Sequence, residues 1–304
     1  MSDFIYPIYI LSLKRDVYFK EFTNDLNKKF VKIIMSDDLK SFNIFVDKLI
    51  SDLCIDELNI STLTVFDKFY ILYALRAFNV GSHIELEYEL SENNFFKHKI
   101  SMIDLLSKLE NFRFDSSYTI EEDKFKVKMT FPKSFTNGDS VYHCLYDSIN
   151  EITFGDKLVN ILEFDIEERI EIFDTLPGTI MPRLFEHIKR HETFLNKNPF
   201  IVIDADVELP FDKTMSLSLI NNALYELVKL AFNSNLKDFY MLEYTLIKKF
   251  NFSYEHISKT TPAELQVYFN VISEDLEREK KERESEQAGQ GYDIPAPNNN
   301  MPHE

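Results

Sequence analysis

Glycine is scarce in this chain. Only 6 occur in 304 residues, against a usual share near ~7%. No GxGxxG and no phosphate-cradling loop can be assembled from them, which argues against nucleotide binding of the common kinds. Tryptophan is missing altogether, while Phe numbers 28 and Tyr 15. With many Lys, Asn and Ile, that usage fits an AT-rich genome. Two cysteines, Cys54 and Cys144, are too few for a disulfide framework or a metal knuckle, and read as small buried hydrophobes. Basic residues are outnumbered: 34 Lys and Arg face 51 Asp and Glu, for a net charge of −17. A phosphate backbone needs a basic face, so nucleic acid is a poor partner for this chain. No uncharged apolar run reaches the ~18–20 residues of a membrane span. The opening MSDFIYPIYILSLKRD places its apolar run ahead of its basic residues, the reverse of a secretory signal. These absences predict a soluble, cytoplasmic chain with no membrane partner and no cofactor.

What is present reads as an α+β protein, a mixed N-terminal region of antiparallel strands and helices followed by a mainly helical C-terminal region. The length suffices for two modest domains or one large one. IYPIYILSL and DVYFKEFT read as strands around Lys14, Arg15 and Asp16, with Pro7 suited to an edge. Helical patterns follow over 24–35 and 38–54. Residues 63–81, LTVFDKFYILYALRAFNVG, form a third helix that is apolar on every side yet carries Asp67 and Arg76. After Gly81 the period becomes two. Pairing Glu85 with Lys99 and Glu87 with Lys97 also sets Ile84 opposite Ile100 and Tyr88 opposite Phe96. That register satisfies charge and apolar groups together. A short helix over 101–110 leads to the strands SYTI and KFKVKMTF.

Pro132 and the polar turn after it suggest a boundary, giving an N-terminal region 1–132. A middle α+β region, 133–210, holds a strand over 152–161, helices over 166–173 and 181–195, and PFIVIDADVELP as a buried strand. A helical region, 211–287, opens with the stripe Leu217, Ile220, Leu224, Leu227, Val228 and Ala231 and continues with a helix over 236–250. Its last helix starts at the capping box Thr261-Pro262-Ala263-Glu264. That helix runs into EREKKERESEQ, which has no apolar face and should project into solvent. The polar tail 288–304 reads as disordered.

Three groups of residues invite chemistry. Asp204-Ala205-Asp206, at the end of an apolar strand, resembles the DxD element with which sugar-nucleotide transferases hold a divalent cation. No βαβ pattern precedes it, so a metal-dependent glycosyltransferase is the alternative reading. His187 and His191 share a helix face at metal-ligand spacing. The expected Glu of an HExxH site is Ile188, and Lys189 and Arg190 lie between, so a solvated helix face is the expectation. Asp67 and Arg76 lie nine residues apart, which on a helix means opposite faces and about 13 Å along the axis. They cannot form one site. Asp67 suits a capping box with Thr64, and Arg76 suits the negative end of the helix dipole. Asn79 or Gly81 can close the helix in a left-handed conformation.

The order of features over residues 4–86 carries a family likeness. Arg15 precedes an F-K-x-F-T run, and a helix follows in which Asp67, Phe69, Leu72, Leu75, Arg76 and Gly81 keep a fixed spacing. This resembles the baseplate hub assembly family of contractile-tailed phages. Many members carry paired cysteines after the glycine, where this chain has Glu87, Tyr88 and Leu90. It is also longer. The resemblance implies a non-enzymatic tail protein, either a hub component or a chaperone for hub assembly. It would bind other phage tail or baseplate hub proteins, such as a tape-measure protein, in the host cell cytoplasm or in the virion tail. Metal-binding, cofactor-binding and catalytic residues are not implied.

Overall fold

The computed structural model describes residues 4–92, 94–112, 117–122, 124–136, 141–206, 208–209 and 211–289. The chain opens with a hairpin of β1 (Ile5–Ile10) and β2 (Arg15–Lys20), in which Pro7 faces Tyr18. Its alternation buries Ile8, Ile10, Val17 and Phe19 on one side. α1 (Asn24–Met35) is capped by the Thr23 hydroxyl, and α2 (Leu39–Leu53) by the Asp38 carboxylate, which accepts from the amides of Lys40 and Ser41. α3 (Val65–Asn79) is the helix that the sequence makes apolar all round, and 13 of its 15 residues are buried. A helix without a polar stripe has no face to give to water, so the other elements pack around it. β1, α2, α4 and α8 all touch it once the later elements are in place.

β3 (His83–Ser91) and β4 (Asn94–Ser101) pair in the register set by their charges: Glu85 with Lys99, Glu87 with Lys97, Ile84 with Ile100, Tyr88 with Phe96. The two ion pairs close at 2.7 and 3.1 Å. α4 (Met102–Asn111) follows, then β5 (Tyr118–Glu122), β6 (Phe125–Met129), α5 (Val141–Ser148), β7 (Ile149–Phe154) and β8 (Lys157–Asn160). The last four strands make one antiparallel sheet in the order β5-β6-β7-β8. The single strand expected over 152–161 is therefore a hairpin. Gly155, at φ +58°, takes the first position of a two-residue loop, where a positive φ suits glycine. The division suggested after 132 falls between β6 and β7, which are hydrogen-bonded neighbours.

α6 (Ile166–Asp174) and α7 (Ile180–Lys197) match the helices read in the sequence. The stretch read as a buried strand differs: β9 is two residues, Ile201–Val202, paired antiparallel with β10, Thr214–Met215. The stripe read from Leu217 also starts late, because α8 is Ala223–Ala231. The cause is Glu192 on α7. Its buried carboxylate accepts from the Ser218 hydroxyl at 2.8 Å and from the Leu219 amide. These bonds fasten residues 218–219 to α7 ahead of the helix. α9 (Leu236–Phe250) ends at Asn251 in the left-handed conformation, φ +56°. α10 (Tyr254–Lys259) and α11 (Pro262–Gly289) complete the chain. The capping box at Thr261 and Glu264 is formed. Ala288 and Gly289, placed in the tail by the sequence reading, end α11; residues 290–304 lie outside the described residues.

One apolar core runs from the β1–β2 hairpin through α3 to Phe232. A separate small core, Leu246, Ile257 and Leu265, holds α9, α10 and α11 together. No helix among the described residues is long and apolar enough to cross a membrane.

Candidate functional site

The polar side chains of α3 are where the sequence placed its question. Asp67 is fully enclosed. Its Oδ2 accepts from the Thr64 amide at 2.8 Å and the Thr64 hydroxyl at 2.7 Å, while its own amide donates to Thr64 Oγ1 at 3.2 Å. That is the capping box expected from the sequence. The second oxygen does something sequence spacing could not reveal: Oδ1 accepts from the Ser12 amide at 2.9 Å, tying the β1–β2 turn to the helix. The first amide of the helix, that of Val65, donates to the Pro132 carbonyl at 2.7 Å.

At the other end Arg76 spreads its guanidinium over three backbone carbonyls. Nε donates to Ala231 at 2.8 Å, Nη2 to His83 at 3.2 Å, and Nη1 to Gly81. Burial pulls this group down to about 10. Neither Asn79 nor Gly81 provides the left-handed cap expected there. Asn79 stays in the last helical turn, and Gly81 sits at φ +158°. The amides of Val80 and Gly81 both return to the Arg76 carbonyl instead, at 3.0 and 3.1 Å. Asn79 is a third staple, accepting from the Phe22 amide at 3.1 Å. Phe69, Leu72 and Leu75 are buried core residues, and Phe69 packs on Tyr73 and Phe200. A methyl group on Gly81 would meet the guanidinium at 3.4 Å. Arg76→Ala should destabilise the fold by about 2 kcal/mol, because three carbonyls lose their donor. Arg76→Lys should recover little, since one ammonium cannot reproduce the planar fork. Urea unfolding checks both, and an Arg76→Ala protein with the parental midpoint would refute the staple.

The chemical candidates do not assemble. Asp204 and Asp206 are both exposed. They follow a two-residue antiparallel ladder in which Val202 is itself exposed, and among the described residues no buried parallel strand leads up to them. The transferase alternative has no support. His187 and His191 are not a solvated face either. α7 lies against β5, so the His187 ring stacks flat on Tyr118 at 4.2 Å and His191 meets the edge of Phe131 at 4.8 Å. Among the described residues no group of three or more His, Cys, Asp or Glu is arranged to hold a metal. Burial pushes the Cys144 thiol up, so it is no thiolate nucleophile. Lys133 is pulled down to about 8 by burial. Its ammonium is engaged at 2.6 Å with Asn150 and 3.0 Å with the Asp147 carbonyl, inside the turn that joins β6 to α5.

The family described as T4 bacteriophage base plate protein matches residues 1–199. The chain belongs to that family. No curated protein and no solved structure matches. Membership places the protein among baseplate components of contractile-tailed phages, in agreement with the likeness read from Asp67, Arg76 and Gly81. The match takes in β1 through α7, and so α3.

The baseplate-family segment is followed by β9, β10 and α8 to α11. Tyr240, Met241 and Tyr244 are exposed on α9, and Val267, Phe269, Val271 and Leu276 on α11. This helical unit is joined to α1 by a buried ion pair, Lys28 to Glu243, at 2.6 Å with side chains only 7% and 9% exposed. The Asn24 amide also donates to the Thr260 carbonyl at 2.8 Å. The Tyr240 and Tyr254 rings each lie 5.4 Å from the Lys28 ammonium.

Proposed function

We propose that this baseplate-family protein acts without catalysis, as a baseplate hub component or as a chaperone for hub assembly, by binding other tail proteins. The observation that supports this reading is the apolar surface of α11. Beyond Leu265 the helix leaves Val267, Phe269, Val271 and Leu276 in water. Phe269 and Leu276, seven residues apart and so on one face of the helix, suit the face of a partner helix, such as one from a tape-measure protein. The net charge of −17 keeps such a chain soluble until that partner arrives. The protein works in the host cell cytoplasm during assembly and, if it is a hub component, in the virion tail.

Co-expression with the phage's tail proteins tests the proposal. Affinity capture should recover a hub or tape-measure protein, and a Phe269→Ser, Leu276→Ser variant should lose it while keeping parental helicity. Repeated capture of no tail protein would overturn the reading. Mass spectrometry of purified virions separates the two roles: presence marks a hub component, absence an assembly chaperone.

A further inference from the structure

A groove lies away from α11, where the C-terminal end of α1 meets residues 212–216 and α8. It encloses about 880 Å³. Its floor is apolar. Val31, Ile34 and Met35 stand at i, i+3 and i+4 along α1, and Leu227 and Leu230 stand i, i+3 on α8, with Met215 between the two helices in sequence. Val31, Ile34 and Leu227 are buried, whereas Met35 is 63% exposed, so the groove is open to a large ligand. Its rim is acidic. Asp37, Asp212 and Glu226 supply three carboxylates, and Lys229 supplies the one ammonium. That ammonium is already shared between Asp37 at 3.1 Å and Glu226 at 3.2 Å.

We infer that this groove is a docking site for a basic amphipathic helix of a partner protein. Above the buried floor, Met35 at the end of α1, Met215 on β10 and Leu230 on α8 keep apolar surface uncovered, and these flexible side chains accept the apolar stripe of a third helix. An excess of two negative charges at the rim then selects Lys or Arg beside that stripe. A second copy of this chain fits poorly. It brings another −17 charges, and residues 274–284 of its most charged helix hold six acidic and four basic residues. The surface is distinct from α11, so the inference does not depend on the role proposed above.

The test uses the full chain and three fluorescein-labelled peptides of roughly five helical turns. One is an amphipathic Leu/Lys helix, one has the same composition scrambled to abolish the stripe, and one is the Leu/Glu counterpart. Anisotropy at about 0.15 M salt limits long-range attraction. The Leu/Lys helix should bind saturably and the other two at least about tenfold more weakly. Met35→Lys and Asp212→Lys alter exposed positions, so folding is preserved, and each should weaken binding by about tenfold. Glu277→Lys, on the exposed face of α11, should leave binding unchanged. With methyl-labelled methionine, the Met35 and Met215 signals should move on titration while that of buried Met102 stays. Equal binding of all three peptides, or equal losses in Glu277→Lys and Met35→Lys, would reduce the effect to net charge and overturn the proposal. Movement of the Met35 and Met215 signals with protein concentration alone would assign the groove to a second copy instead, and would also overturn it.

Discussion

Asp67→Ala should lower stability by about 3–4 kcal/mol, seen as a fall in the urea midpoint at unchanged slope. The carboxylate is fully enclosed and accepts from three donors, two of them the amides of Ser12 and Thr64. Alanine leaves both amides without an acceptor, and each buried unsatisfied group costs about 1–3 kcal/mol. Thr64→Ala removes only the hydroxyl half of the cap and should cost nearer 1 kcal/mol. Asp67→Asn keeps one carbonyl oxygen and should fall between the two. If Asp67→Ala unfolds with the parent, the carboxylate does not hold the β1–β2 turn, and α3 is kept in place by packing alone.

Glu243→Ala should act elsewhere and more locally. It strands the Lys28 ammonium in a site where both partners are almost fully covered. Breaking a buried pair by removing one member typically costs about 3–5 kcal/mol, and here the ammonium keeps the Tyr240 and Tyr254 rings in place of its counter-charge. Among the described residues, the unit of α9, α10 and α11 has a small core with which to resist, Leu246, Ile257 and Leu265 with Leu242, Ile247, Phe252 and Ile272 packed on it. The expected result is loss of hydrogen-exchange protection in α10 and the first turns of α11, with α3 still protected. Lys28→Met with Glu243→Leu should restore most of the docking, since replacing a buried pair by apolar groups is often neutral. Unchanged protection of α10 in Glu243→Ala would mean that the ion pair is not what fastens the unit.

What the sequence made legible was whatever repeats locally. Charges two apart along HIELEYEL and FFKHKI fixed a register, and it is the observed one. Apolar spacing marked α1, α2, α7 and α9 close to their ends. The base plate family was also within reach, because the resemblance was read from features that lie close together along residues 4–86. What was hidden depends on groups far apart in the chain. Glu192 reaches Ser218 and Leu219, and so a stripe that looked helical from Leu217 is held as a loop. His187 and His191 looked solvated because Tyr118 and Phe131, which cover them, come from β5 and the turn after β6. Lys28 and Glu243 are 215 residues apart, and no periodicity joins them. The acid-rimmed groove was hidden for the same reason: α1 and α8 share no pattern until the fold brings them side by side.

The reach of α3 also sets a clock on the ribosome. Tyr73 donates to the Leu227 carbonyl, 154 residues later, and Arg76 to that of Ala231, 155 residues later. At roughly 5–20 residues per second, synthesis takes about 8–30 s to supply those carbonyls once the helix itself has been made. Through that interval the greasiest helix of the nascent chain lacks one wall. The family-matched segment ends at residue 199, before that wall exists, so a chain stopped there leaves α3 open. The C-terminal third is thus part of how the first two-thirds reach their shape in time.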